Sequence, residues 1–498
     1  MRARHAALLS ASALALHFGS AVAAPATDRF SAVREHIRAE MTKAGTPSVA
    51  ISVAQHGKIL WEEGFGWADR ENRVPATPHT VYLLASTSKP ITATGLMVLV
   101  EAGKVELDRP IDDYLGPVRL QARIGDATQA TVRRVANHTA GLPMHHQIFY
   151  SGEPRPAIGT TLQHYGNLIT APGERFEYSN LGYGALEAVI AQVSEQPFDE
   201  FMRARVFAKL GMTHTSVGRD DALKDYIAVA YDDTDARIPL YSVDTLGAGG
   251  MYSSVHDLAR FGMLHLQDRV ADQARILSDA SLVEMHRPTS RHYSGQGYGI
   301  GWAVRPRADG YSEVSHGGNL PGVHSIYRLV PSEHIVVSLL SNKSGDFDIS
   351  DGIVDEVLKI LLPKRKADQE SEEEAAAPKP AFTPPPALLG RWSGTVHTYQ
   401  SEVPITLEFL ECGQVHAKIG SEFTALVSDV KFEDGWLSGN VIGSLGTDDI
   451  RRRHSNALSL SLKLRGTVMN GGVAAQARGL PGSIDSYLLT HWTTLKKL

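Results

Sequence analysis

The chain has 498 residues, which is more than one hydrophobic core usually organises, so two or more domains are expected. Hydrophobic residues make up 43% and charged residues 21%, and the formal net charge is -6, with no basic half. These values are ordinary for a soluble globular protein and argue against a nucleic-acid partner. The single cysteine, Cys412, excludes an internal disulfide, and the alternating run around it predicts a packed strand residue.

The first residues have the pattern of an export signal. Arg2 and Arg4 precede an apolar stretch, and small residues follow at Ala21-Val22-Ala23. This pattern predicts a signal peptide over residues 1–23 and a periplasmic or secreted protein. The alternative is an N-terminal membrane anchor, but the apolar stretch is short for a bilayer, so no membrane span is expected after signal removal.

Residues 24–362 contain both the alternating apolar pattern of β-strands and the apolar spacing of α-helices. Alternating Val49, Ile51 and Val53, followed by a turn at His56-Gly57, predict an N-terminal hairpin. Apolar spacing predicts the later elements, which are helices over 86–103, 182–193 and 255–266, paired strands at 325–329 and 335–340, and a closing helix over 349–361. Strands at both ends with helices between them predict an α+β fold, in which an antiparallel sheet is flanked by helices and carries a helical subdomain.

A change of composition divides the chain. Charged residues, alanine and proline replace any apolar period at 363–386, which predicts a linker between 24–362 and 387–498, each with its own core. The last segment has alternating apolar residues, with turns expected at Asp434-Gly435 and Asn470-Gly471. About eight short strands of this kind predict a C-terminal all-β, barrel-like domain.

The sequence Ser86-Thr87-Ser88-Lys89 has the spacing of a serine nucleophile and its base. Ser86 lies where a helix begins, so Lys89 follows one turn later on the same face. A serine hydroxyl needs a base to remove its proton, and a lysine whose pKa is lowered by desolvation can serve. A second S-x-x-K, from Ser428 to Lys431, lies in the β region with no helix after it, and we interpret it as a surface strand.

The sequence Tyr178-Ser179-Asn180 follows a Pro172-Gly173 loop and precedes a predicted helix. A tyrosine beside the lysine can shuttle the proton between nucleophile and leaving group. The asparagine amide can orient a substrate carbonyl or hold Lys89. Tyr165-Gly166-Asn167 also matches Y-x-N, but it lacks the Pro-Gly loop, so Tyr178 is preferred.

The third motif, His316-Gly317-Gly318, follows a strand-like run, and its glycines allow a backbone to approach a ligand closely. Two other sequences compete with it. Lys343-Ser344-Gly345 lies in an expected loop, and His164-Tyr165-Gly166 has no strand before it. Taken alone, His316 is interpreted as a structural histidine.

Together, the order and separation of these motifs resemble those of the serine β-lactamases and penicillin-binding proteins. The Y-x-N motif, and the histidine in place of the lysine of K-T-G, resemble the motifs of the class C-like branch of this family. That branch includes family VIII carboxylesterases and D-aminopeptidases. The resemblance covers about 30–362 and includes the stretches Asn137 to Pro143 and Gly249 to Ser253.

This resemblance implies a role for each motif residue. Ser86 would form an acyl-enzyme, and Lys89 and Tyr178 would act as its general base system, with either one taking the proton. His316 would assist Tyr178 or bind a substrate terminus. The residues implied in substrate binding are Asn180 on the acyl side, Gly317, Gly318 and Asn319, whose backbone N–H would form the oxyanion hole with that of Ser86.

The implied function is an exported serine hydrolase that cleaves carboxylic esters or D-amino-acid peptides and amides. A β-lactamase, a D-Ala-D-Ala carboxypeptidase and a penicillin-binding sensor are the alternatives. A lysine at position 316 would be a permanent cation for a substrate carboxylate. A histidine is only partly charged at neutral pH, so weak β-lactam turnover is expected.

No cofactor and no metal are expected, because none of the 21 histidines lies in an H-E-x-x-H motif. His145-His146 is interpreted as a pair of solvated loop residues near the cleft. Gly390-Arg391-Trp392 resembles the first strand of lipocalin-like barrels, in a domain expected to serve stability or oligomer contacts. The expected partner is a small-molecule ester, peptide or β-lactam substrate, and a homo-oligomer is compatible with the sequence.

Overall fold

The computed structural model describes residues 28–292, 295–345, 347–366, 382–451, 456–477 and 486–498. The predicted signal peptide and most of the predicted linker lie outside the described residues, so the domain boundaries remain predictions. Within the described ranges, no helix combines the length and the apolar character needed to cross a bilayer.

The main sheet contains nine antiparallel strands among the described residues. The predicted N-terminal hairpin lies inside this sheet, and its first strand pairs with a strand from the far end of the domain, with Val49 opposite Ser341. In spatial order the strands are Ser290–Arg291, Gly297–Tyr298, Ala303–Pro306, Ser312–Leu320, Val323–Val330, Ile335–Ser341, Ser48–Gln55, Lys58–Asp69 and Val74–Pro75.

Helices cover both faces of the main sheet, and its central strands are therefore buried on both sides. Ser31–Ala44 and Phe347–Leu361 pack on one face. Val255–His265 packs on the other, next to the helical subdomain built around Ser88–Glu101 and Asn180–Ser194. The remaining α-helices are short: Val132–Ala136, Ile158–Tyr165, Phe198–Met202, Ala208–Leu210, Leu246–Gly249, Asp279–His286 and Asp448–Arg451. The predicted α+β arrangement is confirmed.

Short strands complete this part of the chain. Tyr82–Leu83 and Ser216–Val217 flank Met251–Ser253, whereas Gln121–Ala122 pairs in parallel with Asn167–Leu168. Single 3-10 turns occur at Ala85–Thr87, Ile111–Asp113, Ala127–Gln129, Asp221–Leu223 and Pro331–Glu333, and one π turn occurs at Arg203–Phe207.

The C-terminal part forms a nearly closed barrel, as predicted. Trp392 is fully buried in its core and donates its Nε1 hydrogen to the Leu388 carbonyl at 2.8 Å. The nine described strands, in spatial order, are Ala425–Leu426, Val415–Ile419, Glu402–Phe409, Gly390–His397, Tyr487–Lys497, Val468–Ala477, Ala457–Arg465, Trp436–Ile442 and Ser428–Glu433.

Of the two predicted barrel turns, one is confirmed and one is wrong. Asp434 and Gly435 both have positive φ, 51° and 77°, as a two-residue hairpin turn requires. Asn470-Gly471 instead lies inside a strand, and the chain reverses at Gly466. Gly471 is needed there for a different reason, because a Cβ atom would lie 2.1 Å from the Ser461 carbonyl oxygen of the adjacent strand. Cys412 is exposed between two strands rather than packed.

The two parts of the chain pack against each other, which the linker did not predict. The barrel strand Tyr487–Lys497 pairs with His146–Tyr150 of the first part, which also pairs with Tyr241–Val243. Buried residues of both parts belong to one continuous apolar cluster. A linker composition carries no information about whether the segments that it joins pack together.

Candidate active site

Ser86 lies in the 3-10 turn Ala85–Thr87, directly before the helix that carries Lys89. Ala85 adopts a left-handed conformation with φ 48°, which costs an L-residue on the order of 1–2 kcal/mol. Hydrogen bonds on the preceding residue hold this turn: Leu84 N donates to the Met251 carbonyl at 2.8 Å, and Ser325 Oγ donates to the Leu84 carbonyl at 2.8 Å. The Ser86 side chain is thereby presented half-buried at the edge of a cavity.

The strand Ser312–Leu320 passes close to this turn at Gly318. A Cβ atom on Gly318 would lie 2.3 Å from the Leu84 carbonyl oxygen and 2.8 Å from the Ser86 backbone nitrogen. Only glycine allows this approach, which explains one glycine of the His316-Gly317-Gly318 motif. The next residue, Asn319, lines the same cavity as Ser86.

Lys89 is fully buried, and its Nζ atom has three oxygen neighbours. These are Ser86 Oγ at 3.0 Å, Asn180 Oδ1 at 2.7 Å and the Ala248 carbonyl at 3.1 Å. Burial lowers the pKa of Lys89 well below that of a free lysine. A neutral amine has two N–H donors and one lone pair. Because Asn180 Oδ1 and the Ala248 carbonyl can only accept, they would take both donors of a neutral Lys89, whose lone pair would then face the Ser86 hydroxyl.

The orientation of the Asn180 amide is set from its other side. Its Nδ2 donates to the His145 carbonyl at 2.8 Å, so Oδ1 must face Lys89. His145 is fully buried, and its Nε2 lies 2.6 Å from Asp244 Oδ2. The interpretation of His145 as a solvated loop residue is therefore wrong, because a buried carboxylate pairs with its ring.

Tyr178 approaches Ser86 from another direction. Their side chains are hydrogen-bonded, and burial raises the pKa of the Tyr178 phenol although this hydrogen bond opposes the shift. Lys89 Nζ lies 4.6 Å from the centre of the Tyr178 ring. The His138 ring packs against Tyr178 at 4.4 Å, and His138 Nδ1 accepts the Ser179 backbone hydrogen at 3.1 Å. At neutral pH Tyr178 is thus a protonated donor, which favours Lys89 as the group that takes the Ser86 proton.

His316 is held in one tautomer by its neighbours. Its Nδ1 lies 2.7 Å from the Gly317 carbonyl, which can only accept, so Nδ1 carries the hydrogen. Its Nε2 then accepts from the Tyr298 hydroxyl at 3.0 Å. Burial lowers the pKa of His316 to about 3, with Lys89 as a smaller contributor. His316 is therefore uncharged in this structure. Its ring centre lies 6.4 Å from that of Tyr178.

The cavity beside Ser86 has a volume of about 360 Å³. Among the described residues that line it, none is lysine, arginine, aspartate or glutamate. The C-terminal barrel contributes Ser486 to its wall, where Ser486 Oγ lies 2.9 Å from His146 Nε2. The other described lining residues are Met144, Asn180, Val243, Thr245, Ala248, Gly249, Asn319, Leu320, Pro321, Ser344 and Gly345.

The competing motifs lie elsewhere. Ser428 and Lys431 belong to an exposed strand. Tyr165 is buried and hydrogen-bonded to Asp449 of the barrel. Lys343 points away from the cavity that its neighbours line, and its Nζ lies 2.6 Å from Asp235 Oδ1.

Similarity to known proteins identifies the family. The sequence model of the Beta-lactamase family matches residues 33–357. The chain belongs to the Beta-lactamase family. It is 25% identical over 351 residues to "Penicillin-binding protein 4*" of Bacillus subtilis (strain 168), an alignment that spans 65% of this chain and 75% of that protein.

Two solved structures extend the comparison of this Beta-lactamase family member. The octameric penicillin-binding protein homologue from Pyrococcus abyssi covers 93% of this chain and 99% of its own, with a TM-score of 0.59 and 21% identity. It therefore shares the fold over both parts of the chain. D-amino acid amidase from Ochrobactrum anthropi SV3, complexed with L-phenylalanine amide, covers 68% of this chain and 100% of its own, with a TM-score of 0.54 and 26% identity.

Several residues around the motifs of this Beta-lactamase family chain were not predicted. The Ala248 carbonyl, the His145 carbonyl and the His138 ring hold Lys89, Asn180 and the segment after Tyr178. His138 lies in a stretch that carried the family resemblance, which was the one available signal. Backbone carbonyls leave no signal in a sequence, because every residue type has one.

Proposed function

We propose that this protein is an exported serine hydrolase that cleaves carboxylic esters, or D-amino-acid peptides and amides, through an acyl-enzyme on Ser86. The observation that carries the proposal is the buried Lys89 amine, whose two N–H groups are taken by Asn180 and Ala248. Its lone pair is thereby directed at Ser86 Oγ, 3.0 Å away. A base in this position lowers the barrier to attack by the serine hydroxyl, which is a weak nucleophile at neutral pH.

The proposed reaction moves one proton through this cluster. Lys89 takes the Ser86 proton as Oγ attacks the substrate carbonyl, and the backbone N–H groups of Ser86 and Asn319 stabilise the oxyanion. Tyr178 donates its phenolic proton to the leaving group and regains one from the Lys89 ammonium. In the second half, water attacks the acyl-enzyme and gives its proton to the same base system. That proton passes to Ser86 Oγ as the bond between Oγ and the acyl carbon breaks, so that the carboxylic acid leaves and the Ser86 hydroxyl is restored.

The described lining of the cavity contains no lysine, arginine, aspartate or glutamate, which favours an uncharged ester. A D-amino-acid substrate carries an ammonium group, and a carboxylate partner for it is absent among the described lining residues. The relationship to a D-amino acid amidase supports this substrate class as the second candidate.

A β-lactamase or D-Ala-D-Ala carboxypeptidase is the further alternative, and it needs a cation for the substrate carboxylate. His316 stays neutral because its pKa is lowered to about 3. A second cavity of about 500 Å³ beyond Tyr178 and His316 contains Arg305 and Arg328. Arg328 is ion-paired with Asp355 at 2.5 Å.

One assay panel tests the substrate proposal. The purified protein is offered p-nitrophenyl butyrate, a D-alanine p-nitroanilide and nitrocefin under the same conditions. We expect kcat/KM to be highest for the ester and lowest for nitrocefin. A higher kcat/KM for nitrocefin than for the ester would replace this proposal by the β-lactamase alternative.

Export and assembly are tested separately. N-terminal sequencing of the protein recovered from the periplasm or medium should begin at Ala24, whereas retention of residues 1–23 would contradict a cleaved signal. The octameric relative motivates the proposal of a homo-oligomer. Light scattering of the purified protein should then give a mass above that of one chain.

A further inference from the structure

A cluster of metal-ligand side chains lies outside the Ser86 cavity. Glu62 comes from the strand Lys58–Asp69, His79 from the loop before Tyr82–Leu83, and His256 from the first turn of Val255–His265. One ligand atom of each lies within 4.8 Å of the others. None of the three lines the cavity of the candidate nucleophile.

The chemistry of these side chains is specific. Two imidazoles and one carboxylate form a donor set that Zn²⁺ commonly takes, with a fourth position left for water or another ligand. The set carries one negative charge when both imidazoles are neutral, which complements a divalent cation. A further imidazole is close, since the His214 ring lies 4.9 Å from that of His79.

His79 provides a second, independent observation. Its Nδ1 is buried and has no hydrogen-bond partner among the described residues. A buried polar atom without a partner costs about 1–3 kcal/mol, so such an atom calls for an explanation. His256 Nδ1 lies 2.9 Å from Glu62 Oε2, and both side chains are about a quarter exposed, at 26% and 27%, which leaves an entry path for an ion.

We propose that Glu62, His79 and His256 bind a Zn²⁺ ion with a structural role. The ion would join three segments that otherwise meet through few polar contacts, one of which is the His256 N–H donating to the Pro78 carbonyl at 3.2 Å. The loop that holds His79 continues through Tyr82–Leu83 into the turn that presents Ser86. Zinc at this place would therefore fix the start of the segment that carries the candidate nucleophile, without taking part in the reaction.

Metal binding to the tag-free full chain tests the proposal. After removal of metals with a chelator, the protein is titrated with Zn²⁺ by calorimetry and with Co²⁺ by visible absorption. We expect one equivalent to bind, a raised Tm with Zn²⁺, and a Co²⁺ spectrum typical of nitrogen and oxygen ligands. His79→Ala and His256→Ala should each weaken Zn²⁺ binding by at least about tenfold, because each removes one of three protein ligands.

Two further variants make the test decisive. Glu62→Gln keeps the size of the side chain and removes its charge, so it should also weaken binding even where a histidine variant fails to fold. His56→Ala is the control, because the His56 ring packs against His334, which is not part of the cluster, and this variant should bind Zn²⁺ like the original protein. Absence of stoichiometric binding in the original protein would overturn the proposal, as would equal affinity in Glu62→Gln and the original protein.

Discussion

Lys89 Nζ lies 2.7 Å from Asn180 Oδ1, a contact between residues 91 positions apart in the chain. This contact takes one N–H of the buried amine, and the Ala248 carbonyl takes the other. In the neutral form of Lys89, the direction of the remaining lone pair, towards Ser86, is therefore a consequence of where Asn180 and Ala248 lie. The sequence motif S-x-x-K supplies the two reacting groups but not this orientation.

Replacing Ser86 by alanine is expected to abolish hydrolysis and covalent labelling by a fluorophosphonate, because the acylated oxygen is lost. Ser428→Ala is the matched control, since Ser428 begins the second S-x-x-K on an exposed strand. Gel fluorescence and ester assays on both variants provide the measurement. Labelling that survives in Ser86→Ala and disappears in Ser428→Ala would reverse the assignment.

Lys89→Ala and Tyr178→Phe should each lower kcat about 10²–10⁴-fold, the usual contribution of general acid–base groups. Steady-state kinetics on p-nitrophenyl butyrate measure the loss, and circular dichroism checks the fold. Lys431→Ala, in the surface motif, should leave kcat unchanged. Losses below about tenfold in both variants with an intact fold would place the base elsewhere.

His316→Lys should raise nitrocefin turnover relative to ester turnover by about tenfold or more, because a hydrogen bond to a charged group contributes about 1.5–3 kcal/mol. His316→Gln is the neutral control and should not change the ratio in this direction. The measurement is kcat/KM for both substrates in both variants. An equal ratio in the lysine and glutamine variants would show that charge at this position does not limit β-lactam turnover.

Glu187 is expected to make stability fall between about pH 4.5 and 7. It is buried, it accepts the Gly247 N–H at 2.8 Å, and burial raises its pKa from 4.5 to about 7. The folded protein thus binds more protons than the unfolded chain in this window, so the free energy of unfolding decreases by about 3 kcal/mol as pH rises through it.

Urea unfolding at pH 5 and pH 8 measures this contribution. Glu187→Gln should lack the decrease and should be more stable than the original protein at pH 8. Glu106→Gln, whose side chain is exposed, is the control and should follow the original protein. Parallel pH dependence in Glu187→Gln and the original protein would disprove the assignment to Glu187.

Deleting residues 387–498 is expected to leave a folded first domain with a lower Tm and an altered KM for esters. The deletion removes the strand paired with His146–Tyr150, exposes apolar surface, and opens the cavity wall at Ser486. Circular dichroism and kinetics on esters of different chain length are the measurements. Ser486→Ala separates the two effects, because it should change KM while leaving Tm nearly unchanged. An unaltered Tm and KM in the deletion would mean that the barrel contacts contribute nothing.

Much of the fold was predictable because hydrophobic periodicity records local burial. The alternation at Val49, Ile51 and Val53 and the turn at His56-Gly57 fixed a hairpin, which the structure confirms. The wrong turn at Asn470-Gly471 shows the limit of local signals. Asn-Gly favours a turn, but strand pairing continued through it because Gly471 allows two backbones to approach closely.

The sequence by itself determined which reactive groups exist and which pairs lie close along the chain, such as Ser86 and Lys89 one helical turn apart. Only the tertiary structure decided the neutral tautomer of His316, the amide direction of Asn180, the packing of the barrel on the first domain, and the meeting of Glu62, His79 and His256. The physical reason is that residue patterns encode the burial of a segment, whereas protonation and ligand sets depend on which distant segments pack against it.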